Sequence, residues 1–297
     1  MTVDLPQIEE HLAYSGAMNL SNKSFGRFAL YITSELGIKM PPSKITMVQC
    51  RLIQRARQLQ LESIDEYAEH FFATSNVEER EHFINAITTN KTDFFREQEH
   101  FDYLVKHAIP HLCRGIDPRM SRLNLWSAAC SSGQEPYTLA MVLNEYRANQ
   151  GGPDFAILGT DISTKVLEHA RKAVYAEVLL DPIPIELRRK YLLSSKNRSE
   201  AMVRVVPALR EKVTFHQLNF MDEDYRLKDM FDIAFCRNVL IYFERDTQEA
   251  VISKICRYIK PGGYLFVGHS ESLAGMDIPA KQVHTAIFRM PSVGGTR

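Results

Sequence analysis

Cysteine is scarce and badly placed for structural chemistry. Five are scattered through 297 residues, an odd number with no CxxC pair. That excludes a disulfide framework and a cysteine-rich zinc site. No apolar run approaches the ~20 residues of a membrane span. The opening MTVDLPQIEE lacks a basic-then-apolar leader pattern. A cytoplasmic protein without direct membrane insertion is therefore expected. Neither sign of charge dominates, since Lys plus Arg and Asp plus Glu both number 36, and nothing global points to nucleic acid. The HExxH zinc pattern is missing. His107 and His111 lie four apart, but no carboxylate–histidine cluster accompanies them, so no metal is expected.

What is present reads as two parts. Residues 1–88 carry helical punctuation and no strand pattern. Phe25, Phe28, Ile32 and Leu36 recur at threes and fours, one apolar stripe within 21–38. Ser43 is placed to cap a helix with Ile45, Val48, Leu52 and Ile53 inward. Ser63-x-x-Glu66 is a capping box before Tyr67 and Phe71, and Asn76-x-x-Glu79 a similar start before Phe83, Ile84 and Ile87. A small all-helical domain is expected. From Lys23 to Arg57 it holds seven basic residues against Glu35 alone. Lys44, Arg51 and Arg55 recur at seven and four, on one helix face. That face is either solvated or a docking patch for an acidic partner.

Residues 89–97, TNKTDFFRE, connect the parts, with Asn90 or Thr92 placed to cap the next helix through Phe101, Leu104 and Val105. A loop at 114–119 precedes the first strand. Residues 89–297 then alternate strand and helix, the α/β pattern. The apolar run 123–130 stops at small residues: Ala128, Ala129, Ser131, Ser132 and Gly133. Glu135-Pro136 opens a helix with Leu139, Val142 and Leu143 inward. In an open α/β sheet a ligand lies outside the carboxyl ends of the strands, against such a turn. One glycine is too few for a GxGxxG pyrophosphate cradle. Glu135 already occupies the anion-attracting end of its helix and repels phosphate, so a neutral or cationic ligand is expected. Strand 154–161 ends in Asp161, 28 residues past Gly133. An acid there suits ribose hydroxyls, whose two protons its two oxygens accept.

Ser163 caps a helix expected over 164–175. Residues 180–212 break the alternation with a hairpin, 190–193 and 201–206, around a polar turn. Strands follow at 213–218 and 231–236. A helix over 246–259 is expected to stop at Lys260-Pro261-Gly262-Gly263, before strands at 264–268 and 283–290.

Together, TNKTDFFRE, WSAACSSGQEPY, GTDIS, QLNF, FCRNVLIYF and PGGYLFVGHSE resemble the CheR-type methyltransferases that modify chemotaxis receptors. Order and spacing match from about residue 20 to residue 290. FCRNVLIYF and TNKTDFFRE are specific to that family, which is bacterial. The resemblance implies a Rossmann-like class I methyltransferase sheet with an N-terminal all-helical domain and a small antiparallel β insertion. It also implies transfer of the methyl of S-adenosylmethionine to glutamates of a receptor's cytoplasmic helical bundle, leaving S-adenosylhomocysteine. By carry-over, Asn90, Thr92 and Arg96 reach over the cofactor, Glu135 lies near its methionyl end, and Asp161 holds the ribose. Asn219 and Phe220 border the adenine, Arg237 and Asn238 close the site, and Arg96 and Tyr242 form the substrate-side pair. A monomer is expected, meeting the receptor through Lys44, Arg51 and Arg55. The hairpin turn SSKNRSE has no glycine, whereas members that tether a receptor tail have a glycine-rich turn.

The chemistry agrees independently. A glutamate side chain is ionised at neutral pH, its unperturbed pKa being about 4.3, so no general base is required. There is no [DN]PP[YF] for an amine acceptor; CRNV stands in its place. Cys130 and Cys236 adjoin strand ends without a histidine partner in sequence. Two alternatives stand beside this reading. One is a CheR-like scaffold that senses S-adenosylmethionine or its product. The other is a methyltransferase for a different coiled-coil acceptor.

Overall fold

The computed structural model describes residues 18–73, 76–117, 121–197 and 200–292. Pro118 and Arg119 of the expected loop, and Arg198 and Ser199 of the hairpin turn, lie outside the described residues. The chain divides into two compact units, with the division between Thr89 and Asn90.

The first unit is helical. α1 (Asn22–Leu36) begins where the Ser21 hydroxyl accepts the Ser24 N–H, and ends at a left-handed Gly37. Its stripe of Phe25, Phe28, Ile32 and Leu36 is buried, as the spacing predicts. Phe28 stacks on Phe83 with ring centroids 5.2 Å apart. α2 (Ile45–Gln58) starts directly from a 3-10 turn, Pro42–Lys44, so the expected Ser43 cap is not made. α3 (Ile64–Ala73) does use Ser63, whose hydroxyl accepts the Glu66 N–H at 3.0 Å. The Glu66 carboxylate returns to the N–H of Glu62, one residue before the usual capping-box target. α4 (Val77–Ile87) is capped by Asn76.

The basic face of α2 is largely engaged within this unit. Arg55 forks onto Glu79, with Nε 3.0 Å from Oε1 and Nη2 closing on Oε2. Tyr67 donates to the same carboxylate at 2.7 Å. Arg51 donates to Ile87 O and to Thr89 Oγ1, satisfying a carbonyl at the end of α4. Lys44 donates to Lys39 O at 3.0 Å.

The second unit is built on a seven-stranded sheet. Its strands are β1 (Arg122–Ala128), β2 (Asp154–Asp161), β6 (Val213–Gln217), β7 (Phe231–Cys236), β8 (Ile259–Val267), β9 (Lys281–His284) and β10 (Ile287–Arg289). They run in the order β6-β2-β1-β7-β8-β10-β9. The first five are parallel and the β9–β10 hairpin closes the far edge antiparallel. Chain order reverses between β1 and β7, which is the topological switch point of the sheet. Register brings the strand ends level. Ala128 sits beside Thr160 and Cys236, Cys236 beside Val267, and Asp161 beside Gln217.

Around the sheet lie α5 (Gln98–Tyr103), α6 (Gln134–Gln150), α7 (Thr164–Lys172), α8 (Ile185–Tyr191) and α9 (Arg245–Cys256). Three local expectations are corrected. Helix α7 stops at a left-handed Ala173, and β3 (Val174–Ala176) pairs with β5 (Met202–Val205), which also pairs with β4 (Leu192–Ser194). The insertion is thus a three-stranded antiparallel sheet. Lys260-Pro261-Gly262-Gly263 does not precede β8 but lies inside it, at an irregularity opposite Phe231–Ile233. Gly263 is required there, because a Cβ would fall 2.7 Å from Asp232 O. The expected strand over 283–290 is the β9–β10 hairpin. Among the described residues no helix is long and apolar enough to cross a membrane.

Candidate active site

The turn after β1 is the floor of the site. It holds three left-handed residues, Ala129, Ser131 and Gly133, at φ 61°, 51° and 94°. Two of these are not glycine, so the surroundings must enforce the shape. Cys130 N donates to Thr160 O at 2.9 Å. Ser131 N donates to Asp161 Oδ2 at 2.9 Å, and Ser131 Oγ to Asn90 O at 2.8 Å. The Tyr175 hydroxyl donates to Ser132 O at 2.8 Å. At Gly133 a Cβ would lie 2.9 Å from Ala170 Cβ and from the Tyr175 hydroxyl. The turn is small-residued because the chain packs tightly beneath it.

Asp161 is buried and braces this turn. Its second oxygen accepts the Ser163 N–H at 3.0 Å. Burial raises its pKa, against the backbone N–H groups that favour the anion. Each oxygen keeps further acceptor capacity for a ligand hydroxyl. Glu135 is held likewise: Ser127 Oγ donates to Oε1 at 2.6 Å and Arg237 Nε to Oε2 at 2.7 Å. That last bond spans the switch point, from the helix after β1 to the loop after β7.

Arg237 is a buried cation, with 2% of its side chain exposed. Nη2 donates to Arg96 O at 2.8 Å, and Nη1 lies 2.8 Å from His100 Nδ1 and 3.4 Å from Glu97 Oε2. Its guanidinium thus ties the 90–97 segment to the sheet rather than standing open to a ligand. Asn238, left-handed at φ 59°, donates from Nδ2 to Glu97 Oε1 at 3.0 Å. Its backbone N–H goes to Glu271 Oε2 at 2.8 Å; Gly268 N at 2.6 Å and Leu240 N at 2.7 Å complete that buried carboxylate's partners. Burial raises the Glu271 carboxyl, opposed by these N–H groups.

The 90–97 segment forms a strap rather than the expected capped helix; helix starts only at Gln98. Phe94 and Phe95 are buried, as expected of a Phe pair in the core. Phe95 N donates to Thr138 Oγ1 at 3.2 Å, and Phe95 and Glu97 are both left-handed, at φ 52° and 57°. Arg96 stands between these fixed neighbours. Nη1 reaches Lys91 O at 3.2 Å, and the other guanidinium donors have no partner among the described residues. Thr92 is half-buried nearby in sequence. Tyr242 ends a 3-10 turn, Leu240–Tyr242, half-buried, its hydroxyl without a partner among the described residues.

Asn219 and Phe220 follow β6 beside Asp161, for Leu218 N donates to Asp161 O at 3.0 Å. Asn219 Oδ1 accepts the Met221 N–H at 3.0 Å. The Phe220 ring is packed against Tyr225 and Phe243, and Lys254 Nζ holds its carbonyl. Cys130 and Cys236 are buried with thiols pushed well above their ordinary range by desolvation, unsuited to act as nucleophiles.

Glu97, His100, His269 and Glu271 were missed by the sequence reading, although Glu97 closes TNKTDFFRE and Glu271 closes PGGYLFVGHSE. Glu97, His100 and His269 converge as metal ligands do. Burial, then the Arg237 charge, pulls the His100 pKa down to about 3. Its Nδ1 faces Arg237, so the ring is neutral with its proton on Nε2, which is buried without a partner among the described residues. The ring nitrogen that faces Glu97 is Nδ1, and the Arg237 guanidinium 2.8 Å from it sets a fixed positive charge where a divalent cation would sit.

The donor set suits a particular ligand. Around the switch point stand Glu135, Asp161 and Asn238, and the turn beneath them is too short of glycine for a phosphate cradle. Acceptors of this kind match a ligand carrying an ammonium, ribose hydroxyls and a sulfonium, as S-adenosylmethionine does.

Comparisons with known proteins agree. Residues 90–288 match the family model described as CheR methyltransferase, SAM binding domain. Residues 23–88 match that of the CheR methyltransferase, all-alpha domain. The chain is 35% identical over 278 residues to a chemotaxis protein methyltransferase of Salmonella typhimurium, covering 93% of each. It is 34% identical over 279 residues to that of Escherichia coli K12, covering 93% of this chain and 94% of the relative. With chemotaxis protein methyltransferase 2 of Pseudomonas aeruginosa it shares 38% identity over 252 residues, 85% of this chain and 87% of the relative. With both units matched in order and the S-adenosylmethionine-binding domain spanning the site just described, the chain belongs to the CheR methyltransferase family.

Proposed function

We propose that the protein transfers the methyl group of S-adenosylmethionine to glutamate side chains of chemotaxis receptors, forming methyl esters and S-adenosylhomocysteine. When bound, the cofactor supplies a methyl already activated by its sulfonium. The chain's own residues bind, orient and exclude water. Glu135 and Asp161 present carboxylates where an ammonium and ribose hydroxyls are expected. Asn90, Thr92, Asn219, Phe220 and Asn238 line the cofactor, with Arg237 bracing the strap above it. The observation that carries the reading is Arg96, an arm with unspent donors on a rigid mount. A guanidinium can hold the incoming carboxylate in a fork. Alignment of nucleophile and methyl supplies roughly 7–11 kcal/mol of the barrier. Tyr242 is the second substrate-side group. The arm and the acceptor set favour an enzyme over a scaffold that only senses the cofactor.

The acceptor is proposed to be the receptor's cytoplasmic helical bundle, met in the cytoplasm by a single copy of this chain. Lys44 and Arg51 remain the docking candidates. Burial, and then the neighbouring charges of Lys39 and Arg51, lower the Lys44 pKa. Arg55, paired with Glu79, contributes less to that field. The test is calorimetric titration with S-adenosylmethionine and S-adenosylhomocysteine, followed by methyl transfer to receptor cytoplasmic fragments. Binding of both and alkali-labile methylation of glutamates are expected. Absence of either binding or esterification overturns the reading.

A further inference from the structure

We propose that Glu97 is a positioning residue that fixes which end of the Asn238 amide faces the methyl-transfer site. The inference rests on the proposed function and concerns this chain's own groups.

An ionised carboxylate accepts hydrogen bonds and donates none. Glu97 Oε1 lies 3.0 Å from the Asn238 amide, so the NH2 end is turned toward it. The opposite end, the carbonyl Oδ1, is thereby turned away and has no partner among the described residues. The usual ambiguity between amide oxygen and nitrogen is resolved by the neighbour's chemistry. Glu97 itself is well fixed. Its other oxygen is 3.4 Å from Arg237 Nη1 and from the His269 backbone N–H. Burial alone would raise its pKa, but the Asn238 hydrogen bond and the Arg237 charge hold it below the ordinary carboxylate value. The Asn238 backbone is pinned separately by Glu271, in a left-handed conformation. With backbone and NH2 both committed, the amide has one orientation.

The consequence is polarity. At the carboxyl end of β7, beside the switch point, the chain offers an acceptor where a freely turning amide would offer either end. An acceptor favours the cationic form of the cofactor over the neutral product, and it repels an ionised acceptor glutamate. Glutamate is left to Arg96. Glu97 would then raise selectivity for S-adenosylmethionine over S-adenosylhomocysteine without touching either.

The experiment is a polarity swap in the full chain. Titration calorimetry with S-adenosylmethionine and S-adenosylhomocysteine is run on wild type, Glu97→Gln, Asn238→Asp and the double variant Glu97→Gln/Asn238→Asp. Glu97→Gln lets the amide turn, and Asn238→Asp sets two carboxylates face to face. Each is expected to weaken S-adenosylmethionine roughly tenfold and the neutral product less. The double variant conserves total charge. Its new amide at position 97 can donate to the new carboxylate at position 238, which again turns an acceptor outward. It is expected to recover most of the lost affinity and selectivity. Losses that add in the double variant, or an unchanged titration for Glu97→Gln, overturn the proposal. If a single variant fails to fold, the swapped pair decides alone, because only a donor–acceptor role predicts that it folds and binds. A wild type that binds neither compound is a failure of the proposed function, and the inference falls with it.

Discussion

Arg96 and Asp161 show how differently two candidate site residues are supported. Arg96 has a fixed backbone and a largely unspent side chain, which suits a group that meets a mobile acceptor. Arg96→Ala is expected to reduce methyl transfer to receptor fragments by a hundredfold or so, the ~3 kcal/mol scale of a charged hydrogen bond. Calorimetric affinity for S-adenosylmethionine should change little; comparable turnover in the variant would remove Arg96 from the reaction. Asp161 is spent on the fold before any ligand arrives, holding the N–H groups of Ser131 and Ser163. Asp161→Ala leaves both donors buried and unpaired, at about 1–3 kcal/mol each. It should therefore lower the urea midpoint of the ligand-free protein as well as cofactor affinity. Loss of affinity at unchanged stability would mean that Asp161 serves the ligand alone.

At the scale of elements, α2 and α4 are joined by a buried charge pair. Glu79 is 3% exposed and Arg55 17%, so removing one partner leaves the other's charge without compensation. Arg55→Met is expected to destabilise the protein by ~3–5 kcal/mol at pH 7. The pH dependence should change sign. In the wild type, burial raises the Glu79 pKa, but the Arg55 fork and the Tyr67 hydroxyl outweigh it and hold the carboxyl low. A depressed acid contributes stability that is complete above its unfolded pKa, about 4.3, and lost as pH falls through the folded value. In Arg55→Met burial dominates, the folded pKa rises above the unfolded one, and acid relieves the variant. Urea unfolding at pH 7 and pH 5 should show the gap between the proteins narrowing at pH 5. A constant gap would assign Arg55 a packing role.

At the scale of the molecule, a neutral chain is proposed to meet a large helical bundle. On that proposal charge of one sign must be local, and Lys39, Lys44 and Arg51 are the candidates to supply it. Lys44→Glu is expected to slow receptor methylation severalfold at low ionic strength and to flatten its salt dependence, because exposed charges are screened beyond about 10 Å at 0.1 M salt. Rates that respond to salt as the wild type does would make that face a solvated one.

Periodic features were legible from the residues alone: the stripe of α1, the parallel strands, the small-residue turn after β1 and the acid ending β2. Each depends on neighbours close along the chain, so spacing and residue type suffice. The family was legible too, because six motifs stand in order. What the motif residues do emerged with the folded sheet. Arg237 is carried over from the resemblance as a residue that closes the site, and strand register sets it between Glu135, Glu97 and His100, which take up its donors. Glu97 and Asn238 lie 141 positions apart, and no periodicity links them. The same holds for β3, whose strand character comes from pairing with β5 across the insertion, and for the PGG segment, which enters β8 because Gly263 fits where Asp232 O leaves no room for a side chain. Local spacing fixes elements through contacts a few residues apart. Polar partnerships in the site arise from level strand ends, and that level is a property of the folded sheet.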